Sequence, residues 1–301
     1  MKTFKSILQF QKHFSTDEKC RTYLEQQRWN GTPTCPHCGS LNVCRFETDK
    51  RTFKCREKVC RKKFTVTVGT IYENTKIPLT KWFLATYILS VHSKGISSLQ
   101  LASWLDVTQK TAWFLNHRIR EMLTEKAPEL LSGVVEVDET YVGGSDKNRH
   151  KSKKKGRGAK TMVIGAIARG GSLKTKTIPH TDIENVTQFI SDSIDKGSNM
   201  VTDESHAYNK VKHNYNHDTV NHRAKEYVRG SIHTNTIEGY WNILKKQING
   251  IHHSVSPQHL QRYCNESAYR YNRRALAQDE RFEDVIGNCE KRLTYQQLIS
   301  N

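Results

Sequence analysis

Apolar residues recur at helical spacing near the start of the chain, then at strand spacing, then at helical spacing again; beyond that the two periods alternate. Residues 1–30 read as helical, anchored by Phe10, Phe14, Tyr23, Leu24 and Trp29, with Ser15 or Thr16 ahead of Asp17 and Glu18 as a helix start. Residues 31–76 carry short β-prone pieces, RTFKC and KKFTVTVG, set among cysteines. Residues 77–128 return to helical spacing. Pro78 opens LTKWFLATYILSV, SKGIS breaks it, and SSLQLASWLDV follows as a short helix. Thr108 then caps TQKTAWFLNHRIREML, whose Ala112, Leu115, Ile119 and Met122 fall on one side. A short helix, a tight turn and a longer helix suggest a helix-turn-helix.

After Pro128 the pattern predicts three consecutive strands, VVEVDETYVG, TMVIGAIAR and LKTKTIPH. The helix DIENVTQFISDSI, the strand NMVTDE and a candidate strand DTVNH come next, before the helices IHTNTIEGYWNILKKQI and SPQHLQRYCNESAYRYNRR. This is the element order of a ribonuclease-H-like mixed α/β fold. It predicts a multi-domain chain whose catalytic domain occupies residues 129–275, after a helical segment (1–30), a zinc ribbon (31–76) and a helical DNA-binding region (77–128). Residues 276–301 are left as a C-terminal tail.

Charge narrows the class. The chain has 48 Lys and Arg against 30 Asp and Glu, a formal net charge of +18, which favours a polyanionic partner such as DNA. It holds no apolar run of the roughly 20 residues a bilayer span needs, and its start lacks the marks of a secretory leader. Both features predict a soluble, cytoplasmic protein working at the nucleoid. The segment 147–160 concentrates eight Lys and Arg with no acid, and Lys153, Lys154, Lys155 and Arg157 are candidate DNA contacts. On the longer helix of the helix-turn-helix, Gln109, Lys110, Trp113, Asn116 and Arg120 are expected to face outward, with Lys110 and Arg120 on DNA.

Two residue sets carry chemistry. Cys35 and Cys38, then Cys55 and Cys60, are spaced as two knuckles of a four-thiolate site, a closed structural Zn²⁺ centre. His37 and Cys44 are weaker substitutes, because neither keeps the paired geometry. Asp138 and Asp203 lie on predicted strands, and Glu238 on a predicted helix. Clustered carboxylates suit Mg²⁺ or Mn²⁺, and a pair of such ions can clamp the entering and leaving oxygens of a phosphoryl transfer. Each aspartate precedes a glutamate, Glu139 or Glu204. Period two on a strand sends only one of each pair into a shared site, and Glu136 shares the face of Asp138. On the helix, Asn235, Glu238, Asn242 and Lys245 form one polar stripe, with Lys245 and Lys246 as candidate grips on a DNA phosphate.

Taken together, TCPHCGS, VEVDETYVGG, VTDESHAY, HTNTIEGYWNILKK and HHSVSPQHLQRYCNESAYRYNRR resemble the DDE-type insertion-sequence transposases of the ISXO-like kind with an N-terminal zinc ribbon. The resemblance covers nearly the whole chain. It implies a ribonuclease-H-like core with Asp138, Asp203 and Glu238 as metal ligands, and Asn235 as a minor candidate for the third. It also implies cutting and joining of DNA at terminal inverted repeats and at target DNA, by a homodimer or higher oligomer. Two other readings compete: a ribonuclease-H-like nuclease without joining activity, and a transposase-derived regulator that only binds DNA. The end-recognition modules speak against the first and the three standing acids against the second.

Overall fold

The computed structural model describes residues 4–125, 129–143, 160–179, 182–204, 208, 210, 215–220, 228–230 and 232–300. These form two compact units, one of residues 1–123 with 275–301, the other of residues 124–274.

In the first unit, α1 (Ile7–His13) and α2 (Asp17–Trp29) meet at a break where Thr16 accepts from the Lys19 N–H, as the cap pattern predicts. A three-stranded antiparallel sheet follows, β1 (Val43–Arg45), β2 (Thr52–Cys55) and β3 (Lys63–Thr65). Then come α3 (Leu79–Val91), α4 (Ser98–Leu105) and α5 (Gln109–Met122). Asp106, Val107 and Thr108 make the turn between α4 and α5; Asp106 is left-handed at φ 50°, and Thr108 accepts from the Thr111 N–H. A helix, a short turn and a longer helix are therefore present as expected.

Two expectations about α5 are corrected. Asn116 and Arg120 are both buried, at 1% exposure, instead of facing outward. Every residue from Leu115 to Arg120 is buried, so this stretch of α5 presents no solvent-exposed polar face. Lys110, in the first turn, is exposed.

The segment left as a tail supplies α9 (Gln278–Gly287) and α10 (Tyr295–Ile299). Phe282 of α9 sits at the centre of an aromatic cluster, its ring centroid 5.0–6.4 Å from those of Phe4, Phe10, Phe14, Tyr23, Phe83 and Tyr87. Rings in T-shaped and tilted contact contribute beyond the area they bury. The last helices thus complete the core that the first helices begin.

The second unit is built on a five-stranded sheet: β4 (Val134–Val142), β5 (Thr161–Ala168), β6 (Leu173–Ile178), β7 (Asn199–Asp203) and β8 (Asn216–Val220). Its spatial order is β6-β5-β4-β7-β8. β5 and β6 run antiparallel to their neighbours, and β7 and β8 parallel to β4, so the sheet is mixed. On one face, Val135, Val137, Ile164 and Ala166 meet Val186, Phe189 and Ile190 of α6 (Ile183–Ser193). On the other, Val163 and Ile167 meet Ile237, Trp241 and Leu244 of α7 (Asn235–Gln247), with Leu260 and Tyr263 of α8 (Pro257–Asn272). Covering on both faces explains why β5 reads as an unbroken apolar run. A feature outside the predicted pattern is the pair β9 (Val228–Arg229) and β10 (Ile232–His233), which takes two residues assigned from the sequence to the start of α7.

Removing the Phe282 ring should leave a cavity that the surrounding rings cannot fill. Phe282→Ala is expected to cost about 3–5 kcal/mol in urea-induced unfolding, read by near-ultraviolet circular dichroism.

Candidate active site and zinc centre

In the ribbon, the Cys35 and Cys60 sulfurs are 3.8 Å apart and those of Cys38 and Cys55 3.6 Å. All four lie within 4.8 Å of one another, the spacing of tetrahedral thiolates round one ion. Gly39, at φ 75°, closes the first knuckle and donates to the Cys35 carbonyl; the left-handed turn is why glycine stands there. The Glu57 carbonyl accepts from the Cys60 and Arg61 N–H groups in the second knuckle, and Arg61, which follows Cys60 as Gly39 follows Cys38, is left-handed at φ 51°. Apart from Phe53, Phe64, Trp29, Val43 and Val68, little apolar surface supports the sulfurs. The arrangement is a structural zinc site. His37 and Cys44 are not part of the four-sulfur group.

The acids are placed by the central strand and by α7. β4 and β7 pair in parallel only as far as Glu136 and Val201. Asp138 and Asp203 each lie two residues further on, on the face that Glu136 and Val201 share, where the hydrogen-bonded ladder has ended. Asp138 is directly opposite Gly165 of β5. The Trp241 indole lies over Gly165 so closely that a Cβ there would fall 2.7 Å from a ring atom. From that position Trp241 Nε1 donates to Asp138 Oδ2 at 2.9 Å. Gly165 therefore makes room for the ring that holds Asp138.

α7 is docked by a residue whose role the sequence left open. Glu136 is fully buried. Its carboxylate accepts from the backbone N–H of Thr236 (2.8 Å) and Ile237 (3.0 Å), and from the Thr236 hydroxyl (2.8 Å). Arg169 Nε pairs with it at 2.7 Å, and the same guanidinium donates to the His233 carbonyl. Thr234, the residue before the helix, makes no side-chain cap, so Glu136 reaches across from β4 to serve as one. A glutamate inside the apolar string VVEVD has to be paired, and that was the available signal.

Glu238 stands one turn into α7 and accepts from the Thr234 hydroxyl at 2.9 Å. Burial, followed by the charges of Asp203 and Glu238, pushes Asp138 up to about 6, so the three acids are electrostatic neighbours. Glu139 points elsewhere: Tyr208, fully buried, donates to it, and burial pushes Glu139 up to about 7. Glu204 is exposed while Asp203 is half-buried. Like charges crowded in a partly buried place, with oxygen donors only, form a donor set that fits a hard divalent cation. Among the described residues, the spacing of a closed metal site is met by the four sulfurs and not by these acids. Asn235, Asn242, Lys245 and Lys246 are exposed on α7. Lys245 follows Glu238 by seven residues, about 10 Å along the helix. Lys153, Lys154, Lys155 and Arg157 lie outside the described residues.

Two outcomes follow from these geometries. Cys38→Ser should lower the zinc content and abolish the ribbon's protection from proteolysis, measured by metal analysis and limited digestion. Glu136→Gln should destabilise the protein by about 3–5 kcal/mol, because Arg169 and the α7 N-terminus lose their buried partner; thermal unfolding monitored by Trp fluorescence reads the change.

Residues 130–272 match the ISXO2-like transposase domain, and residues 15–63 match the transposase zinc-ribbon domain. The chain is also 26% identical over 269 residues to an uncharacterised protein in the transposable element ISH50 of Halobacterium salinarum, covering 84% of this chain and 90% of that protein. Asp138, Asp203 and Glu238 fall within the first matched segment, and the four zinc-site cysteines within the second. The chain belongs to the ISXO2-like insertion-sequence transposases that carry a zinc ribbon.

Proposed function

We propose that this protein cuts DNA at the terminal inverted repeats of its insertion sequence and joins the freed ends to target DNA, with Asp138, Asp203 and Glu238 as catalytic residues. What supports the reading is that β4 and β7 stop pairing just before Asp138 and Asp203, and that Trp241 of α7, the helix carrying Glu238, donates to Asp138. Ligands of open α/β sheets sit in the crevice beyond the carboxyl ends of such strands. Support also comes from the sheet order. Numbered within the domain it is 3-2-1-4-5, with the second strand antiparallel to the first and the fourth parallel to it, which agrees with a ribonuclease-H-like core.

Asp138, Asp203 and Glu238 would hold Mg²⁺ or Mn²⁺, with Asn235 a minor candidate in place of Glu238. Divalent cations bound there supply the charge that activates an attacking hydroxyl and offsets the charge on the leaving oxygen. Trp241 orients Asp138, and Thr234 orients Glu238. Lys245 and Lys246, exposed further along α7, are placed to hold a backbone phosphate. Lys110, at the exposed start of α5, is the remaining helix-turn-helix contact. Lys153, Lys154, Lys155 and Arg157 would add a sequence-independent grip. Pairing two element ends calls for at least two copies of the chain on DNA. Among the described residues, no helix is long and apolar enough to cross a membrane.

Asp138→Asn should reduce cleavage and strand joining by at least about a thousandfold while leaving affinity for element-end DNA within twofold. The assay supplies Mg²⁺, labelled end DNA and a target plasmid. Cleavage by D138N at the wild-type rate would sink the assignment. Cutting without joining in the wild type would indicate a nuclease, and binding alone a regulator.

A further inference from the structure

The first unit contains a cavity of about 330 Å³ at the first turn of α5, outside the unit that holds Asp138, Asp203 and Glu238. Three aromatic rings form its walls. Trp82 is buried, Phe114 half-buried, and Tyr295 of α10 is 38% exposed. Phe114 and Tyr295 meet edge to face at 5.6 Å. Three cations join them: Lys76 and Lys110, both exposed, and Arg118, buried. Lys110 Nζ lies 5.2 Å from the centre of the Tyr295 ring. Among the described residues, no acid lines the cavity.

Arg118 is the unusual member. Its guanidinium stacks over Trp82 at 4.9 Å and Phe114 at 5.3 Å, and one Nη donates to the Glu73 carbonyl at 3.0 Å. Its Nε is buried and has no hydrogen-bond partner. The Glu73 carboxylate pairs with Arg292 instead, at 3.3 Å. Burial and then the repulsion of Arg292 lower Arg118 to about 10. A buried cation with an unused donor costs free energy unless an anion meets it.

The volume is at the lower end of small-ligand sites, which span roughly 300–1,000 Å³. That is too small for a duplex or a peptide helix. Aromatic walls select a flat ring, and three cations without an acid select negative charge. We propose that this cavity binds one unpaired nucleotide, its base against the Tyr295 and Phe114 rings and its phosphate toward Lys110 and Arg118. Base–aromatic stacking of this kind tolerates any base. The source of the nucleotide rests on the transposase reading: cutting creates strand ends, where an unpaired nucleotide adjoins duplex held by the first turn of α5. A free mononucleotide offers the same chemistry.

The test uses the full-length protein in its Asp138→Asn form, so that binding is read without cleavage and does not depend on the catalytic assignment. One duplex is blunt, and the other ends in a single unpaired 2-aminopurine. The unpaired base should be quenched on binding, and its duplex should bind roughly tenfold more tightly than the blunt one, the order of one stacked base. Tyr295→Ala should abolish the preference, and Tyr295→Phe should keep it, with both variants matched for thermal stability. Competition by deoxyadenosine monophosphate would place the chemistry in a free nucleotide; persistence of the signal in its presence would place it in the DNA strand. Equal affinity for the two duplexes with no mononucleotide binding, or a preference that survives Tyr295→Ala, overturns the proposal.

Discussion

The second unit depends on one buried charge. Glu136 is sealed in the middle of the sheet, and its carboxylate is satisfied by two backbone amides of α7, a threonine hydroxyl and Arg169. A buried carboxylate is tolerated only when its lone pairs are met, so the sheet and the helix cannot separate without exposing an uncompensated ion. The same contact satisfies orphan N–H groups at the helix start and sets negative charge against the positive end of the helix dipole. Because Glu238 follows Ile237 directly, fixing the first turn of α7 also fixes where the third acid sits.

That joint explains the close packing around it. With α7 pinned at its start, Ile237 and Trp241 lie down on β5, and the absence of a side chain at Gly165 lets the indole approach the strand. The ring then reaches Asp138. Burial, and after it the repulsion of Asp203 and Glu238, is why Asp138 holds its proton more tightly than an ordinary aspartate. Glu139, on the other side of the strand, is occupied by Tyr208. One strand thus sends successive carboxylates to different partners, as its pleat requires.

Much of this was legible along the chain because it depends on local periodicity. The long strands, the amphipathic α6 and α7, and the cysteine knuckles each leave a mark within a dozen residues. The marks fail where a residue's environment is set by distant segments. Asn116 and Arg120 look like an exposed polar face of α5, yet both are buried, and polarity alone does not reveal that. Phe282 gives no sign that it closes a core begun by Phe4 and Phe10, some 270 residues earlier. The short pair β9 and β10 is too brief for any period to register.

The amino-acid order by itself determined which groups are available: four thiols at knuckle spacing, three acids in separate elements, an excess of positive charge, and the alternation that builds a two-faced sheet. Only the tertiary structure decided which of two adjacent carboxylates turns toward α7, which glutamate caps that helix, and that the last helices complete the first core. The reason is physical. Period and composition act over a few residues, whereas the burial of an ion or a ring is settled by atoms that the chain brings together from far apart.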